Sequence, residues 1–184
     1  MRRFIGAPLS LLVLLGCALP GHDRPHAAVG EQAVALRDAF NADVDKVRIV
    51  ALVSPNCGTC LRGAQIMQRD VFSHVPDRRL AGYLVWVPIK GATKNEVPQA
   101  TRTVPDPRAQ HYWDRTRDLV NAYSPVLGLD GPAWDVYLIY RTGVRWEGST
   151  PPKPDYWMQQ LGARTAPALN GDRFARQVRA ILAS

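Results

Sequence analysis

The chain has 184 residues, 46% of them hydrophobic and 21% charged, which suits one folded domain with its own core and argues against general disorder. The net charge of +7 comes largely from arginines scattered between Arg37 and Arg179, with no dense basic block. Such a pattern describes a solvated surface and argues against nucleic acid as the partner.

Arg2 and Arg3 precede a short apolar stretch over 9–15, too short to span a bilayer and ordered like a secretory signal. Leu14-Leu15-Gly16-Cys17 follows, and it resembles the lipobox of bacterial lipoproteins. That resemblance implies removal of residues 1–16 and lipid attachment at the Cys17 thiol. With Ala18 rather than aspartate next, it also implies a periplasmic, outer-membrane location through the lipid anchor. The alternative is a plain signal peptide cleaved near Ala18-Leu19-Pro20, with Cys17 lost. Either route leaves one cysteine pair, Cys57 and Cys60, in an oxidising compartment.

Residues 17–30, rich in proline, glycine and polar side chains, read as a tether, and 31–184 as the domain. Ala33, Leu36, Phe40 and Val44 recur at helical spacing and predict a helix over 31–45. The unbroken aliphatic run 47–53 predicts a strand buried on both faces. A second helix is expected from Cys57 to Phe72, with Leu61, Ala64, Met67 and Val71 turned inward. Residues 81–89 predict the next strand, 91–105 a polar surface loop, and Asp106-Pro107 the start of a third helix carrying RAQHYWDRTRDLVNAY. Then come a strand over 133–141, a turn at Thr142-Gly143, a short fourth strand over 144–147, an extended 150–154 and a closing helix over 172–182. This order predicts an α/β fold, a mixed sheet of about four strands with helices on both faces.

The stretch SPNCGTC (54–60) carries the chemistry. A cysteine in the first turn of a helix meets unpaired N–H groups and the positive end of the dipole, both of which favour the thiolate. Cys60 follows three residues later, within reach for a short disulfide. Pro55 holds the approach, and Gly58 and Thr59 are small enough to leave the first sulfur accessible. A haem site would need histidine where Leu61 stands, and a closed zinc site would need a second ligand pair. A purely structural disulfide across so short a loop would stabilise little.

Strand, proline, CxxC and helix together resemble the thioredoxin-like superfamily, from about Glu31 to Glu147. The style is that of exported bacterial TlpA-like, thiol–disulfide oxidoreductase or peroxiredoxin-related proteins. The resemblance implies a three-layer fold, no cofactor beyond a redox-active disulfide, and protein or small-molecule thiols and disulfides as partners. By it Cys57 is the nucleophile and Cys60 the resolving cysteine. One departure concerns the cis-proline that faces the CxxC in thioredoxins. The matching place falls near Trp134, with Pro132 two residues earlier, so either Pro132 serves or Trp134 covers the sulfurs. The displacement opens an alternative, a metallochaperone binding copper or another soft metal through Cys57, Cys60 and His111, as in the Sco-type proteins, whose motif is CxxxC. His111 is expected in the first turns of the third helix, either beside the cysteines or as an ordinary surface histidine.

Overall fold

Residues 47–53 hold six aliphatic side chains and one arginine, and all seven are buried in a single strand at the centre of the sheet. A computed structural model describes residues 21–184. The expected leader, Cys17 and the first residues of the tether lie outside the described residues. In chain order the elements are β1 (His26–Ala28), α1 (Val34–Ala42), β2 (Val47–Val53), α2 (Gly58–Ile66), β3 (Leu80–Trp86) and α3 (Val97–Thr101). They continue with β4 (Ala109–Trp113), α4 (Asp118–Leu127), β5 (Val136–Tyr140), β6 (Tyr156–Gln159) and α5 (Gly171–Leu182).

The sheet has six strands in the order β1-β4-β3-β2-β5-β6. The first four run parallel, while β5 and β6 are antiparallel to their neighbours. Val47, Ile49, Ala51 and Val53 face a core closed by α2 and α5, with Met67, Val71, Phe174 and Val178. Val50 and Leu52 face the other core, closed by α1 and α4 with Phe40, Val120 and Tyr123. The result is a three-layer α/β arrangement with a mixed sheet between helices, as expected, with two strands more than expected. Among the described residues no helix is long and apolar enough to cross a membrane.

Four local expectations are corrected. Residues 26–28, read as tether, form edge strand β1 beside β4, and the preceding residues are held by Arg24 N donating to Thr101 Oγ1 at 2.8 Å and by the Asp23–Arg102 ion pair. Residues 91–105 are not one loop, since Thr93 and Glu96 form a capping box that starts a 3₁₀ turn leading into α3.

Asp106-Pro107 does not open a helix. Asp106 is spent on the backbone N and guanidinium of Arg108, whose other N–H groups donate to Phe72, Val75 and Asp77 carbonyls. The aromatic run after it is buried as β4 between β3 and β1, and the helix starts only at Asp118.

Residues 144–147 are not a strand either. Arg48, fully buried in β2, donates to the Val144 carbonyl at 2.7 Å and also to those of Arg141 and Phe40, so the loop turns inward instead of pairing. β6 takes the vacant edge of β5.

Candidate functional site

β2 ends in Ser54-Pro55-Asn56, and Cys57 is the N-cap of α2, with extended backbone (φ −98°, ψ 113°) and its carbonyl accepting from Leu61 N at 2.9 Å. Ser54 Oγ donates to the Ile89 carbonyl at 2.8 Å and Asn56 Nδ2 to that of Lys90 at 2.9 Å. These two bonds fix the turn against the segment leaving β3. The first sulfur therefore sits among the unpaired N–H groups of a helix start on a rigid support.

Cys57 and Cys60 are free thiols. Their Sγ atoms and a carboxylate oxygen of Asp135 all lie within 4.8 Å of one another. Cys57 is 3% exposed and Cys60 fully buried, while Asn56, Gly58 and Thr59 around Cys57 are exposed. A visiting molecule thus reaches Cys57 first. Burial is the strongest single influence on Cys57 and opposes its ionisation. Even so, hydrogen bonds from Thr59, whose Oγ1 lies 3.1 Å from the sulfur, and from Cys60 outweigh burial and hold the Cys57 pKa below that of an ordinary thiol. Burial pushes the Cys60 thiol far up, and the Asp135 charge and the bond to Cys57 add to the rise. The pair is asymmetric: Cys57 gives up its proton more readily than Cys60.

Asp135 is the residue that sequence reasoning missed. It stands just before β5 with a left-handed backbone (φ 54°), a conformation that favours glycine but that aspartate tolerates better than most side chains. Its side chain is 1% exposed, and Oδ1 accepts from Tyr137 Oη at 3.0 Å and from Gln160 Nε2 at 2.9 Å. Gln160 Nε2 also donates to the Thr59 carbonyl at 3.1 Å, linking the end of β6 to the CxxC turn. Gly63 makes room for this network, since a Cβ there would lie 1.8 Å from Tyr137 Oη. The one legible signal was an acid immediately before the apolar run VYLIY, where a buried charge needs partners.

Pro55, Gly58 and Thr59 form the turn around Cys57, whereas Pro132 and His111 are not placed as expected. Pro132 is exposed, its carbonyl accepts from Trp134 N at 3.1 Å, and no described peptide bond is cis. Trp134 is half-buried, packs against the core that contains both cysteines and has Lys90 Nζ 5.5 Å from its ring centre, while Asp135 next to it brings a carboxylate oxygen to the two sulfurs. His111 is on β4, not on a helix, and is 3% exposed. Its Nδ1 accepts from Trp86 Nε1 at 3.3 Å and its Nε2 lies 3.0 Å from the Val104 carbonyl, an assignment that requires the neutral ring with the proton on Nε2. Burial pushes its pKa down to about 4. With both nitrogens used, His111 has no ligand atom to offer a metal, and the three groups poised together are Cys57, Cys60 and Asp135.

A groove of about 410 Å³ runs beside the turn, between Pro55, Asn56 and Leu61 on one side and Gln99, Ala100 and Thr103 on the other. A larger cleft, about 480 Å³, is lined by His74, Arg78, Arg79 and Arg179 near the start of β3, at the opposite end of the parallel strands from Cys57.

No family model and no curated protein matches the chain. Among solved structures it is similar to MTB dsbF in its mixed oxidized and reduced forms, at 14% identity and TM-score 0.45, covering 77% of this chain and 84% of that one. It is similar to a thioredoxin-like protein in the oxidized form, at 15% identity and TM-score 0.47, covering 76% and 79%. It is also similar to a secreted Mycobacterium tuberculosis disulfide oxidoreductase homologous to E. coli DsbE, at 12% identity and TM-score 0.44, covering 80% and 86%.

Proposed function

We propose that the protein is a thiol–disulfide oxidoreductase working through Cys57 and Cys60. The observation that carries this reading is the pair's geometry: one cysteine is the N-cap residue of a helix at the edge of the surface, and the sulfur of the second is buried within 4.8 Å of the first. The Cys57 thiolate attacks one sulfur of a substrate disulfide, forming a mixed disulfide and releasing the first substrate thiolate. Cys60 then gives up its proton, and the Asp135 carboxylate is the ionisable group within reach to take it. Attack of Cys60 on Cys57 Sγ releases the second substrate thiolate and leaves the Cys57–Cys60 disulfide. The substrate gains two electrons and the protein loses two. A dithiol reductant restores the pair, and running the same steps backwards oxidises a substrate dithiol.

The test is reduction of insulin by dithiothreitol. The wild-type chain is expected to accelerate it and Cys57→Ser to leave it at the uncatalysed rate. Equal acceleration by both would overturn the reading.

We further propose export, with lipid attachment at Cys17 holding the domain at the periplasmic face of the outer membrane. What supports this is the order of Arg2-Arg3, the apolar stretch over 9–15 and Leu14-Leu15-Gly16-Cys17. Fatty-acid labelling in a Gram-negative host is expected for the wild type and lost in Cys17→Ser. Labelling of both would contradict the anchor.

A further inference from the structure

We propose that the dithiol form binds one zinc-type divalent cation through Cys57 Sγ, Cys60 Sγ and the Asp135 carboxylate. Three atoms within 4.8 Å of one another share a centre no more than about 2.8 Å from each, against about 2.3 Å for zinc–sulfur and 2.0–2.2 Å for zinc–oxygen bonds. Side-chain adjustments of roughly half an ångström therefore complete the site.

Asp135 is already oriented for the purpose. Tyr137 and Gln160 both donate to Oδ1, leaving Oδ2 for a further partner, and outer hydrogen bonds of this kind fix ligating carboxylates. Two thiolates and one carboxylate form a donor set of intermediate softness. Cuprous ion favours sulfur alone, and magnesium or calcium favours oxygen alone, so zinc fits best. A fourth position would open toward the exposed Asn56–Thr59 edge and admit water or a substrate thiolate. Because a disulfide offers no thiolate, binding is confined to the reduced pair, and a bound ion withholds Cys57 from exchange.

Cobalt(II) titration of the reduced protein tests this directly, through thiolate-to-cobalt charge-transfer absorption, with zinc then added to displace the cobalt. One ion per chain is expected for the wild type, none for the oxidised protein, and at least a tenfold weaker affinity for Asp135→Asn. Asparagine accepts the left-handed backbone at this position, so that variant keeps its conformation, which circular dichroism checks. Zinc should also slow alkylation of Cys57 in the reduced wild type, a readout that needs no variant. Absence of charge-transfer bands in the reduced wild type, wild-type affinity in folded Asp135→Asn, or alkylation indifferent to zinc would each overturn the proposal.

Discussion

Each face of the sheet buries a side chain that ordinarily carries charge, and the two are held in opposite ways. On the α1 and α4 side Arg48 lies over the Phe40 ring at 4.2 Å and donates to the carbonyls of Phe40, Lys46, Arg141 and Val144. Those partners are fixed dipoles that do not titrate. On the α2 and α5 side Asp135 is steadied by Tyr137 and Gln160 but stands beside two sulfurs that do titrate. A buried charge surrounded by backbone dipoles organises the fold, whereas one facing ionisable neighbours changes their chemistry.

If that contrast is right, Arg48→Met should cause the largest loss of stability. Removing the guanidinium strands several buried carbonyls and should cost about 3–5 kcal/mol, read from the denaturant midpoint. Thiol reactivity of the folded fraction should not change, and a changed Cys57 alkylation rate would blur the distinction between the two faces. His111 comes next. Its folded pKa, about 4, lies below the ordinary 6.5, so the unfolded chain binds the extra proton first as pH falls. The His111 contribution should be full above about pH 6.5, decline as pH falls towards 4 and level off below, a loss of about 3 kcal/mol. His111→Gln should flatten that part of the pH–stability curve.

Gly63→Ala should be smaller in stability and larger in chemistry. The added Cβ must push Tyr137 Oη aside, costing about 1–3 kcal/mol and loosening Asp135 beside Cys60. Its signature is a slower release of the mixed disulfide with little change in the first attack. Tyr137→Phe, which removes one hydrogen bond to Asp135 without crowding, should cost about 1 kcal/mol and shift the same step in the same direction.

What could be read before the structure was local. The aliphatic run 47–53, the CxxC after it and the amphipathic closing helix each carry their signal within a dozen residues, and each lies where expected. Residues 109–113 failed because AQHYW suits a helix start or a buried strand equally, and the choice was made by burial between β3 and β1. Residues 144–147 failed because Arg48, which captures the Val144 carbonyl, and Asn41, which bonds the Trp146 backbone, lie about a hundred residues earlier. The pairing of Asp135 with the cysteines was hidden for the same reason: only the sheet brings the start of β5 to the start of α2. The resemblance directed attention to the start of β5, at Pro132 and Trp134, but did not single out the carboxylate next to them.

The division of labour between the two sulfurs is tested most directly by trapping. Cys60→Ser and Cys57→Ser proteins are each mixed with a disulfide substrate and analysed by mass spectrometry. Cys60→Ser should accumulate a stable mixed disulfide at residue 57, and Cys57→Ser should form none. An adduct on Cys60 at a comparable rate, or an unreactive Cys57 in the Cys60→Ser protein, would contradict the account.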